Sequence, residues 1–255
     1  ALLIGLHSSS HAQQYRWNLL TTPPQRIGMN AIAVSPNGKY VVSVGQFTSV
    51  LESNNYGTSF FEQSFGVMGD LLTVTFFSPE GVITADDDGH IYRRETSGGI
   101  WTMSSINPGN RFHTIEYAGA NTLLIGAGNG DIYRSTDNGI HWTKAIALPS
   151  AIYSIATSKT GTCMAVGARG MVALSMDNGL TWELSATQAD TAITLRRAAF
   201  VNDSTWVIAG DTSYAARTTD HGTSWTTLPL DRSITQKVYY PLALAFNSTG
   251  HGMLI

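Results

Sequence analysis

Ser135-Thr136-Asp137-Asn138-Gly139-Ile140-His141-Trp142 is followed by Ser175-Met176-Asp177-Asn178-Gly179-Leu180-Thr181-Trp182 and by Thr218-Thr219-Asp220-His221-Gly222-Thr223-Ser224-Trp225. The shared pattern is Ser/Thr-x-Asp-x-Gly-x-x-Trp, and its tryptophans stand 40 and 43 residues apart. Weaker copies lie upstream at similar spacing: Arg94 to Trp101, where Thr96 replaces the Asp, and Ser53 to Phe60, where Asn55 does. Trp17 stands 43 residues before Phe60. A period near 40 is the length of one four-stranded propeller blade. No long apolar stripe of period 3.6 offers a helical alternative.

The text between the phrases has the alternation of strands. In one unit, Ile152 to Ser158, Thr162 to Val166, Met171 to Ser175 and Trp182 to Ser185 read as four successive strands. Lys159-Thr160-Gly161, Ala168-Arg169-Gly170 and the Asp-Asn-Gly step supply the turns between them. The first two strands are almost wholly apolar or small, as expected for inner strands covered on both faces by neighbouring blades. The chain is therefore expected to be all-β, a β-propeller of four-stranded blades with about five complete blades and a partial one. A full ring is expected to have six or seven.

Each residue of the phrase has a structural job. An Asp at position 137, 177 or 220 closes an Asx-type turn on backbone N–H groups. Ser135, Ser175 and Thr218 tie the other side of that turn. Gly139, Gly179 and Gly222 provide the positive φ that a side chain resists. Trp142, Trp182 and Trp225 are expected to fill space against the next blade. One Asp per repeat is the behaviour of a scaffold, so these aspartates are read as turn locks and not as catalysts.

The phrase resembles the Asp-box, or bacterial neuraminidase repeat. The longer string from Gly126 to Trp142 is similar to the photosystem II assembly and stability factor family of propellers, and also resembles xyloglucanase-type propellers. The resemblance runs from about Trp17 to Ile255. It implies a propeller that binds or helps assemble a partner. It also implies a hydrolase alternative, because Asp-box propellers include sialidases and xyloglucanases. The Arg-Ile-Pro phrase of the sialidases is replaced here by Arg26-Ile27-Gly28.

Composition narrows the partners. Charged residues make up only 13%, and the net charge of −3 gives no basic footprint for nucleic acid. No apolar stretch is long enough to span a membrane as a helix. The single Cys163 sits in an apolar second strand and reads as a small core residue. Residues 1–12, apolar through Leu6 and ending in the small Ser-rich run before Ala12, read as the remainder of a signal peptide. Residues 13–255 are then a propeller domain cut at its C-terminus, and the protein is expected to be secreted, periplasmic or at a cell surface.

Ligands of propellers meet the channel rim on the face opposite the boxes. That face carries the loops into first strands and the loops from second to third strands. Its candidates are Arg111, His113, Tyr153, Arg169, Arg196, Arg197 and Tyr239, with Arg26, Tyr240, Gln46, Asn129, Asp190 and Asp211 nearby in the register. Arg196 and Arg197 suit a bidentate grip on a carboxylate or sulfate, or a pairing with a nearby acid. Asp86-Asp87-Asp88 is the densest acidic run but lacks the spacing of known Ca²⁺ loops. The histidines form no zinc pattern. No cofactor, metal or catalytic residue is assigned.

Two functions are carried forward. One is an exported, non-catalytic scaffold for a protein or glycan, in which exposed tyrosines serve as anchors. The other is a glycoside hydrolase, in which Glu116 and a loop aspartate would be the paired carboxylates.

Overall fold

The computed structural model describes residues 28–64, 69–186, 189–229, 244–246 and 252–254. Blade 1 is β1 (Met29–Val34), β2 (Val41–Gly45), β3 (Ser49–Ser53) and β4 (Phe61–Ser64). Blade 2 is β5 (Leu71–Phe76), β6 (Val82–Asp86), β7 (His90–Arg94) and β8 (Thr102–Ser105). Blade 3 is β9 (Phe112–Gly119), β10 (Thr122–Ala127), β11 (Asp131–Ser135) and β12 (Thr143–Ala147). Blade 4 is β13 (Ile152–Thr157), β14 (Cys163–Gly167), β15 (Val172–Ser175) and β16 (Glu183–Ser185). Blade 5 is β17 (Leu195–Phe200), β18 (Trp206–Gly210), β19 (Tyr214–Thr218) and β20 (Thr226–Thr227). The hairpin of β21 (Leu244–Phe246) and β22 (Gly252–Leu254) stands where a sixth blade begins. The signal-peptide reading of residues 1–12, the strand expected around Trp17, and Arg26, Tyr239 and Tyr240 fall outside the described residues.

Each blade is an antiparallel meander in sequence order. The first strands β1, β5, β9, β13 and β17 lie side by side, so the blades are arrayed about their inner edges. The apolar residues divide into four clusters, one at each interface between consecutive blades. The period of two explains the division. In β14, Cys163 and Ala165 face blade 3 while Met164 and Val166 face blade 5. All five residues of that strand are buried, which is why it reads as one continuous apolar run.

The box tryptophans correct one expectation. Trp142 packs with Ile83 and Ile91 of blade 2, and Trp182 joins Leu124 and Ile132 of blade 3. Each therefore fills space against the preceding blade, not the next. The box glycine sits at the same interface. A Cβ on Gly179 would stand 2.5 Å from Leu124 Cδ2, and one on Gly139 would stand 2.6 Å from Ile83 Cδ1.

In blades 1 to 4 the position just before the first box residue faces the other way and ties its blade to the following one. Arg93 Nε donates to Asn138 O (2.6 Å), and Arg134 Nε donates to Asn178 O (2.9 Å). In blade 4 the position is Leu174, which packs against Gly222 of blade 5. In blade 1 it is Glu52, which accepts from Arg94 Nη1 and Nη2 at 2.7 and 2.9 Å. Both partners of that ion pair are buried. Arg94 occupies the Ser/Thr position of the degenerate second box and also lies over the Trp101 ring, 4.7 Å from its centroid. The box that lost its lock thus gained an inter-blade ion pair.

Candidate functional site

The three full boxes share one geometry. Ser175 Oγ donates to Asp177 Oδ1 (2.8 Å) and accepts from Gly179 N (2.9 Å). Asp177 Oδ1 also accepts from Leu180 N and Thr181 N, while Oδ2 accepts from Thr181 Oγ1 (2.6 Å). Asp137 is served alike by Ser135, Ile140 N, His141 N and His141 Nδ1. Asp220 is served by Thr218, Ser224 N and Ser224 Oγ. Burial works to raise the Asp177 pKa, but these donors win and hold it at about 2. Asn55 repeats the pattern in blade 1, accepting from Ser53 Oγ and Ser59 N and donating to Ser59 Oγ. An amide does the same job, so the box needs an acceptor and not an acid–base group. The Trp142 and Trp182 indoles donate to Gly139 O and Gly179 O.

The opposite ends of the blades carry the ligand-face candidates, and backbone bonds knit those ends together. In all five blades the second-to-third turn donates an N–H to the residue leading into the first strand. The pairs are Gln46 to Gly28, Asp87 to Asp70, Gly128 to Arg111, Ala168 to Ala151 and Asp211 to Thr194. The first strand bulges directly after this bond. Asn30, Leu72, His113, Tyr153 and Arg196 are each passed over by the ladder to the second strand. A bulge re-aims the extra side chain. The repeat thus builds a ring of five re-aimed residues around the inner edge, of which three were expected from the sequence and Asn30 and Leu72 were not.

His113, Tyr153 and Arg196 are brought together. The His113 and Tyr153 rings meet at a 41° tilt with centroids 4.7 Å apart, and Arg196 Cζ lies 5.1 Å from the Tyr153 centroid. Arg196 also grips Asp211 through Nε (2.5 Å) and Nη2 (3.1 Å). Arg197 turns into the blade, where its Nη1 donates to Arg196 O (2.7 Å), and burial lowers its pKa. The two arginines therefore do not form one clamp: Arg196 pairs with Asp211 at the mouth, while the half-buried Arg197 is turned to the Arg196 carbonyl. Arg111 and Arg169 are exposed and take part in none of the ion pairs among the described residues. Arg169 stands at the left-handed tip of its turn (φ 61°), as do Phe47 (φ 54°) and Thr212 (φ 60°). Phe47 is 71% exposed there. Asn138, Asn178 and His221 in the box turns share that conformation (φ 57°, 57° and 58°), so it belongs to tight turns on both faces.

His113 is held well below the usual histidine range, at about 4, first by burial and then by the Arg111 and Arg196 charges. Gly128 lies against it: a Cβ there would stand 3.4 Å from His113 Nε2. Asp86 is fully buried and accepts from His90 N, Asp88 N and His90 Nδ1, so it locks its own loop. Asp87 Oδ1 accepts from Asp70 N (3.0 Å). Asn129 braces Asp131, accepting from its N–H and donating to its carboxylate. Asp190 accepts from Ala192 N (2.9 Å). Glu116 lies further along β9, and burial pushes its pKa up to about 7. Its register partners in the other first strands are Ala33, Thr75, Ala156 and Ala199, none of them acidic. Cys163 is a core residue as expected, with its thiol pushed up to about 12 by burial. A cavity of about 350 Å³ in blade 5, between Ile193, Tyr214 and Leu228, reaches the Thr212 turn and has no charged lining.

Comparison with known proteins agrees with this architecture. The model of the family described as photosynthesis system II assembly factor YCF48 matches residues 145–249. A solved structure of YCF48 bound to D1 peptide is 14% identical, covers 91% of this chain and 89% of its own, and superposes with a TM-score of 0.51. YCF48 from Cyanidioschyzon merolae is 16% identical over 91% of this chain and 94% of its own, with a TM-score of 0.57. The GH74 xyloglucanase from Xanthomonas campestris is 14% identical with a TM-score of 0.71 over 89% of this chain, which spans only 43% of that enzyme. No curated protein sequence matches. The chain is an Asp-box propeller similar to the photosystem II assembly factor.

Proposed function

We propose that this protein is a non-catalytic binding scaffold that holds a segment of a partner protein across the mouth formed by the bulged first strands and their neighbouring turns. The observation that carries this reading is the convergence of His113, Tyr153 and Arg196, from three consecutive blades, beside the exposed Arg111 and Arg169. Stacked aromatic and guanidinium groups on rigid strands are the usual anchors of protein interfaces. A propeller of the same fold is known with a D1 peptide bound, which supports a protein partner as the class. The apolar and small-residue run of residues 1–12 supports export, to the periplasm or cell surface.

The arrangement does not favour hydrolysis. A glycosidase sets two carboxylates about 5 to 10 Å apart across a cleft. Here Asp86 is enclosed in its loop and Asp211 is paired with Arg196. The test is fluorescence anisotropy with labelled acidic, neutral and basic dodecapeptides, alongside a xyloglucan oligosaccharide. The scaffold reading predicts peptide binding that falls at least tenfold in Arg111→Glu and is unchanged in Lys159→Glu, on the box side. Binding of the oligosaccharide alone would shift the partner to a glycan, and turnover of it would overturn the non-catalytic assignment.

A further inference from the structure

Three features of the mouth combine. His113 is a bulged residue whose ring lies against Tyr153 at a 41° tilt (4.7 Å between centroids), with Gly128 on its Nε2 side, where a Cβ would stand 3.4 Å away. The charges acting on the ring are Arg111, from its own strand lead, and Arg196, from β17 by way of Tyr153. From β13 the neighbour is Tyr153, and from β5 the matching ring position is the uncharged Leu72. Asp211 lies against Arg196, and Glu116 lies three residues further along β9. Asp86, on the β6–β7 turn, is enclosed by its own loop.

We infer that the mouth is a proton-coupled anion site, in which a carboxylate seated beside Arg111 makes His113 take up one proton from solvent. The inference rests on the binding reading above and adds its chemistry and its control. An incoming anion offsets the two cationic charges that oppose the imidazolium, and it accepts a hydrogen bond from the protonated ring. Both effects favour the charged ring. By linkage, whatever raises the proton affinity of His113 is bound more tightly as pH falls. In the free protein the ring is neutral across the ordinary range, at a pKa of about 4. Bound, it titrates higher. Between the two values affinity rises by up to about tenfold per pH unit, the limit for one linked proton.

The test uses the full chain and two probes. One is an acetylated Asp-Glu-Asp-Ala peptide with a free C-terminal carboxylate, and the other is inorganic sulfate, whose charge is constant above about pH 3. Affinity is measured by calorimetry from pH 4 to 8, and the His113 ring is followed by NMR. The expected result is peptide binding that strengthens at least about fivefold from pH 7 to pH 5, which for one linked proton requires the His113 pKa to rise from about 4 to at least about 5.7 on saturation. In His113→Gln the peptide binds with a pH-flat affinity, and in Arg111→Gln it binds at least tenfold more weakly. Sulfate reproducing the pH dependence shows that the site reads anionic charge. Peptide alone reproducing it shows that the carboxylate segment is needed. Binding that is pH-flat in the unmodified protein, with an unmoved His113 signal, overturns the proton coupling and leaves the binding reading standing. Absence of binding by either probe at every pH overturns both.

Discussion

Replacing Asp177 separates the lock from any chemical role. Its Oδ1 accepts from Ser175 Oγ, Leu180 N and Thr181 N, and its Oδ2 accepts from Thr181 Oγ1. Asp177→Ala removes all four acceptor contacts. Leu180 and Thr181 are exposed, so water replaces part of what is lost. Ser175 is buried and cannot be served in that way. Charge-assisted hydrogen bonds contribute about 1.5 to 3 kcal/mol each when shielded and much less when wet, so the alanine variant should lose about 2 to 3 kcal/mol in all. Asp177→Asn should cost under about 1 kcal/mol, because Asn55 already performs the lock in blade 1 with its amide donating to Ser59. Urea denaturation followed by tryptophan fluorescence reads both. A second readout is pH. The folded-state pKa of Asp177 is depressed to about 2 from 3.8, so its contribution is full above the unfolded value and fades as pH falls through about 2. The gap between wild type and Asp177→Ala should therefore narrow below about pH 3. Equal losses in the alanine and asparagine variants would refute the lock, since the charge and not the acceptor geometry would then be what matters.

Three further outcomes follow from the same packing. Arg94→Leu leaves Glu52 buried without its cation and should cost about 3 to 5 kcal/mol; the double variant Glu52→Leu/Arg94→Met should recover most of it, which a thermal melt of the three proteins will show. Glu116 has its pKa raised from 4.5 to about 7 by burial, so its contribution is intact below about 4.5 and is lost as pH rises through 7, by roughly 2 to 3 kcal/mol. Glu116→Gln should remove that decline, which runs between about pH 4.5 and 7, from the denaturation midpoint. Gly179→Ala combines a φ of 75° with a contact 2.5 Å from Leu124 Cδ2, and should cost more than the roughly 1 kcal/mol of conformational strain alone; hydrogen exchange should show the loss at the blade 3–blade 4 interface.

The parts of this fold legible in the sequence are those written in local chemistry. Asp177 and Gly179 announce a turn because only such residues close it, and β14 announces a doubly covered strand because every side chain is apolar or small. Strand limits agreed within a residue in blade 4, where β13 to β16 follow the expected four segments. What stayed hidden depends on two segments meeting. The bulges at Asn30 and Leu72 arise where the turn after the second strand bonds the lead into the first, 18 and 17 residues away in the chain. A signal did exist: Gly45, Gly167 and Gly210 end the second strands of three blades. A Cβ there would fall 2.2, 2.0 and 2.6 Å from the carbonyl oxygens of Gly28, Ala151 and Thr194. The direction of the box tryptophans was misread for a related reason, since a strand's alternation shows that it has two faces without saying which neighbour covers each. The split of Arg196 and Arg197 followed from the bulge, which gave adjacent residues different surroundings.

A bound partner should sit on the mouth and not on the box turns. Hydrogen–deuterium exchange of the protein with and without a bound acidic dodecapeptide, read by mass spectrometry, should show protection confined to the turns carrying Phe47, Arg111, Arg169 and Thr212 and to the first-strand bulges. Protection centred instead on the box turns at Asp137, Asp177 and Asp220, with the mouth unchanged, would contradict it.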